Sequence, residues 1–258
     1  MGLWDESTTK FPEACEKLVH AVMDKIPIKE NNHILDVGYG CGDSSFLFAD
    51  FYQCKVTGIT NEAAQWEISQ KRLETQYNHL QNRITFVHGS ADTLDTIVGQ
   101  QCFDHVISID SAYHYCTRWD FLRRAYQHLK PDGSIGLFDL TLHPQLAQRM
   151  TPTKKWFLAV LCRAIGIPVA NLVVADEYRD RLFALGYKDV NIESIDRKRV
   201  FGGLVHALKT QHERCHIFNV GTSIDEHVFM AVVCWMFGLL ASHRWLTPVL
   251  VSAKRSEG

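Results

Sequence analysis

Short apolar runs alternate with longer stretches of helical spacing along the first 140 residues. The runs Asn32–Val37, Cys54–Ile59, Arg83–His88, Phe103–Ile109 and Ser134–Leu140 read as strands, apolar along most of their length, as strands covered on both faces are. Between them, Ser44–Phe51, Asn61–Tyr77 and Trp119–Leu129 read as helices, and Phe11–Ile26 as a helix before the first strand, with Pro12 where a missing N–H costs little. Lys130-Pro131-Asp132-Gly133 is a stop-and-turn signal. Strands and helices in this rhythm predict a parallel sheet wrapped on both faces. The second half changes character. Lys154–Ile165 and Glu177–Leu185 read as helices, Asp189–Ile195 as a sixth strand, Arg199–Ala241 as a helical insertion and Leu246–Lys254 as a last strand. The expected architecture is therefore α/β: a Rossmann-like, seven-stranded, mostly parallel sheet in one domain, 1–258. Its ligand-binding core covers about 27–141, and a helical cap about 142–188 and 199–241.

Composition narrows the class. At 258 residues, 46% hydrophobic and 22% charged with a formal net charge of −2, the chain is ordinary for a globular protein and has no basic face for nucleic acid. Eight cysteines without a C-x-x-C pair read as reduced thiols of a cytoplasmic protein. The start, MGLWDESTTKF, has acids where a secretory signal would be basic and apolar, and Glu6 stands where acylation at Gly2 would want a hydroxyl. Val228–Leu240 is the longest apolar run, shorter than the roughly 20 residues of a bilayer span, and is expected as a buried or cap helix rather than a membrane contact. No oligomeric state follows from any of this.

Candidate chemistry begins at Ile34-Leu35-Asp36-Val37-Gly38-Tyr39-Gly40-Cys41-Gly42-Asp43. Glycine permits backbone angles and close approaches that a Cβ would block, so this strand-to-helix turn can lie against a nucleotide-like ligand. Its G-x-G-x-G spacing differs from the dinucleotide fingerprint. A literal H-E-x-x-H, His212–His216, with Asp225, Glu226 and His227 downstream, has the form of a zinc site but lies in the insertion, outside this framework. No metal is assigned to it.

The order of these elements resembles the class I S-adenosylmethionine-dependent methyltransferases over nearly the whole chain. The acid-x-G-x-G-x-G turn of that superfamily is matched by Asp36, Gly38, Gly40 and Gly42, which the resemblance places at the methionine part of S-adenosylmethionine. Gly58-Ile59-Thr60-Asn61-Glu62-Ala63-Ala64-Gln65 is similar to the G-I-T-x-x-x-x-Q element of one branch. That branch includes cyclopropane-fatty-acid synthases, tocopherol and sterol methyltransferases and natural-product sugar O-methyltransferases. Ribose contacts are then expected from Thr60, Asn61 and Gln65, and adenine contacts from Ser90 and Ala91, with Asp92 next in line. Asp110-Ser111-Ala112-Tyr113-His114 resembles the branch's E-S-x-x-H element, with aspartate for glutamate, and Leu129–Gly133 resembles its L-K-P-G-G turn. Asp110, or else Asp36, is expected to hold the cofactor's amino end.

The resemblance implies methyl transfer to a small-molecule acceptor. His114 is expected as general base for O-methylation, with Asp139 orienting it, His143 as a rival base, and Tyr113 and Tyr115 shaping the pocket. Trp4 and Phe11 are expected to close over the cofactor. Aromatic residues of the cap (Trp156, Phe157, Phe201, Phe218, Phe229, Trp235, Phe237) suggest a fairly apolar acceptor. N- or C-methylation, a non-catalytic cofactor-binding protein and a zinc hydrolase are the alternatives.

Overall fold

The strands His33–Val37, Lys55–Thr60, Phe103–Ile109 and Leu129–Leu142 bury most of their side chains, which is why these runs lack the alternation of a half-solvated sheet, whereas Ile84–His88 and Tyr187–Ser194 at the sheet edges are more open. The computed structural model describes residues 1–217 and 223–256. Seven strands form one sheet: β1 His33–Val37, β2 Lys55–Thr60, β3 Ile84–His88, β4 Phe103–Ile109, β5 Leu129–Leu142, β6 Tyr187–Ser194 and β7 Leu246–Arg255. Their order is β3-β2-β1-β4-β5-β7-β6. β7 alone runs against its neighbours, pairing antiparallel with both β5 and β6. Strand order reverses between β1 and β4, the switch point at which open α/β sheets bind ligands.

The helices are α1 Phe11–Met23, α2 Asp43–Asp50, α3 Ala63–Thr75, α4 Leu94–Val98, α5 Arg118–His128, α6 Pro144–Gln148, α7 Pro152–Ala164, α8 Ala175–Ala184, α9 Gly203–Ile217 and α10 Ile224–Ser242. Apolar clusters fill both faces of the sheet. One gathers Leu18 and Val22 of α1 with Phe46, Phe48, Phe138 and Phe201; the other gathers Phe121 and Leu122 of α5 with Tyr178 and Leu182 of α8.

Three features depart from the sequence expectation. β5 starts at Leu129, not Ser134: Leu129 pairs with Phe103, the ladder skips, and pairing resumes at Ser134 opposite His105. Lys130–Gly133 is thus an excursion inside a strand, with Asp132 at φ +59°. The helical insertion opens with a π-helical turn at Lys198–Gly202, which the spacing did not mark, and continues as α9 and α10. Finally, α10 is only half covered. Phe237, Leu240 and Ala241 pack on the core, whereas Val228, Phe229, Val232 and Trp235 are each more than half exposed. Among the described residues no helix is long and apolar enough to cross a membrane. Phe218, and the side chains of Phe157, His216 and Asp225, lie outside the described residues.

Candidate active site

A crevice of about 640 Å³ opens past the C-terminal ends of β1 to β4. Its floor is the turn between β1 and α2, where Gly38, Gly40 and Gly42 have φ of +80°, +63° and +96°. Each of the three holds a backbone that L side chains rarely adopt. A Cβ on Gly38 would stand 2.1 Å from the Ser111 Oγ, while one on Gly40 would meet nothing within 4 Å. Gly38 therefore lets two loops approach, and Gly40 leaves the floor open. Asp36 lies beneath this floor rather than in its wall: it is 1% exposed and accepts hydrogen bonds from Ser44 Oγ and Ser45 Oγ, both 2.7 Å. Burial pushes its carboxyl up to about 6, against the pull of the two hydroxyls. It braces the start of α2.

Thr60, Asn61, Glu62 and Gln65 form the wall at the end of β2. The Thr60 hydroxyl donates to Gln65 Oε1 at 2.8 Å, which leaves the Gln65 amide N–H groups for another partner. Glu62 is the acid that sequence reading passed over, although it sits inside the quoted G-I-T-x-x-x-x-Q element. Gly89, Ser90, Ala91 and Asp92 line the crevice beyond β3, with Ser90 Oγ accepting from the Asp92 amide at 3.1 Å. Asp110 follows β4 at φ +60°, a strained angle that aspartate tolerates better than most residues. Its carboxylate faces the crevice, where it pairs with the Met1 amino group and accepts from the Tyr113 hydroxyl. An ammonium group thus fits against Asp110.

Tyr39, Cys41, Asp43, Ser44 and Cys116 also line the crevice without a sequence signal beyond position in a turn, beside Ser111 of the E-S-x-x-H-like element and Tyr115, which was expected to shape the pocket. The Tyr115 hydroxyl donates to the Val37 carbonyl at 2.8 Å, tying the loop after β4 to the end of β1. Phe11 also lines the crevice, as expected, but Trp4 does not: it is buried against Gly203 and its backbone N–H bonds the Arg199 carbonyl.

His114 lies in the crevice wall, exposed, at the end of a 3-10 turn Ala112–His114. The pair expected between His114 and Asp139 is not formed. Asp139 is fully buried; its Oδ2 receives Arg118 Nη1 at 2.7 Å and the Tyr178 hydroxyl at 2.8 Å, and Oδ1 the Leu140 amide. A carboxylate in an apolar strand needs partners, and buried Arg118 satisfies that need. His114 instead bonds the Gly166 carbonyl through Nδ1, at 3.0 Å. His143 is remote from this chemistry; it caps α6, its Nδ1 accepting from the Gln145 amide at 3.2 Å.

A second cavity, about 470 Å³, lies between α6, α7, α10 and the start of β7. Its lining is almost wholly apolar, including Leu146, Met150, Leu158, Cys162, Ile165, Ile167, Met236 and Leu240. Ile165 and Ile167, which line this cavity, flank the glycine whose carbonyl accepts from His114. In the insertion, His212 Nε2 and His227 Nδ1 are 3.2 Å apart. Among the described residues, no three His, Cys, Asp or Glu side chains converge as a metal site.

Residues 34–133 match the methyltransferase domain family, from the first strand to the end of the excursion in β5. That stretch is a methyltransferase domain. It is 29% identical over 202 residues to erythromycin 3''-O-methyltransferase of Saccharopolyspora erythraea, an alignment that covers 76% of this chain and 63% of the relative. The 27-O-demethylrifamycin SV methyltransferase of Amycolatopsis mediterranei is 26% identical over 201 residues, covering 76% and 68%. In three dimensions the methyltransferase superposes on a cyclopropane synthase from Mycobacterium tuberculosis with a TM-score of 0.77 at 17% identity, over 98% of this chain and 88% of that one. The match to the methyltransferase domain ends before the helices that line the apolar cavity.

Proposed function

We propose that the protein transfers a methyl group from S-adenosylmethionine to a hydroxyl of a small, fairly apolar molecule, with His114 as general base. The observation that carries this reading is the bond from His114 to Gly166. A carbonyl oxygen only accepts, so Nδ1 holds a proton and, in the neutral ring, the lone pair lies on Nε2. A histidine fixed in that tautomer in the wall of a polar crevice, and held by a segment whose Ile165 and Ile167 line the apolar cavity, is placed to take a proton from a hydroxyl of an apolar molecule. The erythromycin and rifamycin relatives, both methyltransferases and one an O-methyltransferase, support the same class.

The crevice residues suit the cofactor. The open floor at Gly40 accommodates its methionine part, and Asp110 its ammonium. Thr60, Asn61, Gln65 and Glu62 offer hydroxyl, amide and carboxylate partners for ribose, and Ser90, Ala91 and Asp92 border the adenine. Bound S-adenosylmethionine supplies a methyl group activated on a sulfonium. The chain's own part is alignment and proton removal: His114 Nε2 accepts the acceptor's hydroxyl proton as the oxygen forms its new bond to carbon.

Incubating the protein with S-adenosylmethionine and an extract of apolar metabolites, with mass detection of methylated products, identifies the acceptor. On that acceptor His114→Ala should lower kcat by about 10²–10⁴-fold and leave affinity for S-adenosylhomocysteine within threefold. Full turnover by His114→Ala would sink the O-methyl mechanism and favour a neutral amine as acceptor, which needs no base.

A further inference from the structure

A base on a one-turn helix is only as well placed as the backbone that carries it. Asn171 is fully buried, and every polar atom of its side chain is engaged with the segment bearing His114. Its Nδ2 donates to the Tyr113 carbonyl at 3.0 Å and to the Tyr115 carbonyl at 2.8 Å, the two carbonyls on either side of His114. Its Oδ1 accepts the backbone N–H of Arg118 at 2.9 Å, at the start of α5. The Asn171 carbonyl in turn accepts from the Arg118 guanidinium, which is held by Asp139. Two donors and one acceptor in a single plane are what a primary amide provides. Aspartate has no donor, serine reaches one carbonyl at most, and glutamine adds a methylene to a filled site.

The same short stretch, Gly166 to Asn171, therefore grips His114 at the ring and at the backbone on both sides. We propose that Asn171 is a positioning residue: it fixes the Tyr113–Tyr115 backbone so that the His114 ring stays on the Gly166 carbonyl and presents Nε2 to the crevice. This rests on the reading of His114 as base, and it assigns to Asn171 the orienting part that sequence gave to Asp139. Without the amide, the flanking carbonyls lose buried partners, the turn relaxes, and the ring is free to exchange its proton between nitrogens.

The test needs no acceptor. In full-length protein with ¹⁵N-labelled histidine and saturating S-adenosylhomocysteine, the wild-type His114 signal, assigned by its loss in His114→Ala, should show a single neutral tautomer protonated at Nδ1. Asn171→Ala should shift both ring nitrogens toward the average of two tautomers, with affinity for S-adenosylhomocysteine within threefold of wild type. Tyr178→Phe removes a hydroxyl from Asp139 in the same buried network without touching the loop, and should keep the wild-type tautomer. If Asn171→Ala does not fold, Asn171→Ser, which admits a water in place of the amide, is read the same way. An unchanged His114 signal in the Asn171 variant, or the same averaging in Tyr178→Phe, overturns the proposal. Averaging in Asn171→Ala together with full turnover by His114→Ala would leave the positioning intact and remove the base assignment.

Discussion

Two buried aspartates, Asp36 and Asp139, look alike in sequence, since each is an acid in an apolar strand, yet they are stabilised in different ways. Asp36 has only hydroxyls for company, so burial wins and its carboxyl titrates near 6 instead of 3.8. The folded chain then binds more protons than the unfolded chain between those values, and stability falls as pH rises through that window and is level above it. The difference is on the order of 3 kcal/mol at full ionisation. In Asp36→Asn this dependence should vanish, so urea midpoints of the wild type and the variant should diverge from pH 4 to pH 6.5 and run parallel above. Asp139 is paired with Arg118, and Asp139→Asn leaves a guanidinium buried without its counter-charge. That should cost about 3–5 kcal/mol of stability, read as a lowered urea midpoint. Sequence showed that Asp139 needs a partner. It did not show which, because Arg118 is brought to it by the packing of α5 on β5, and no local pattern encodes that contact. His114 was legible because its neighbours in the chain, Asp110 and Ser111, form a motif with it. Gly166 and Asn171 share no motif with it and were invisible.

At the scale of the element, the turn between β1 and α2 was readable almost residue by residue, because glycine spacing records backbone angles directly. Two of its glycines nevertheless do different work. Gly38→Ala places a methyl group against Ser111 and should weaken both stability, by about 2–3 kcal/mol, and cofactor affinity. Gly40→Ala adds a methyl group to open space at φ +63°, so it should cost about 1–2 kcal/mol in stability while reducing affinity for S-adenosylhomocysteine by at least tenfold. Calorimetric titration beside thermal melting separates the two; equal losses in both measurements would contradict the distinction. The excursion at Lys130–Gly133 shows the converse. Its turn chemistry was plain, but whether a strand ends there depends on the partner strand β4, which re-forms the ladder on the far side. α10 was legible as a helix and not as a surface, since its run Val228–Leu240 is apolar throughout and has no polar face to mark the exposed side.

For the whole molecule, the sheet and the order of its ligand-binding loops followed from the alternation of elements, whereas the apolar cavity did not. That cavity is built from helices on both sides of β6, and only their packing creates it. Filling it should change acceptor range and leave cofactor binding alone. Met236→Trp is expected to lower kcat/KM for the bulkiest acceptor found in the extract screen at least tenfold more than for the smallest, with S-adenosylhomocysteine affinity unchanged. An equal loss on both would remove the cavity from acceptor binding. The reversed direction of β7 bears on how such a pocket changes over generations. Leu142, where β5 ends, is paired with Leu246, where β7 begins. The chain departs toward the cap and comes back from it at a single rung of the ladder. The helices that line the apolar cavity hang from that rung like a graft from one union, while residues 34–133 carry the methyltransferase domain. A cap joined in this way can change in length or sequence while the ladder of β5 and β7 and the crevice beyond β1 to β4 keep their geometry.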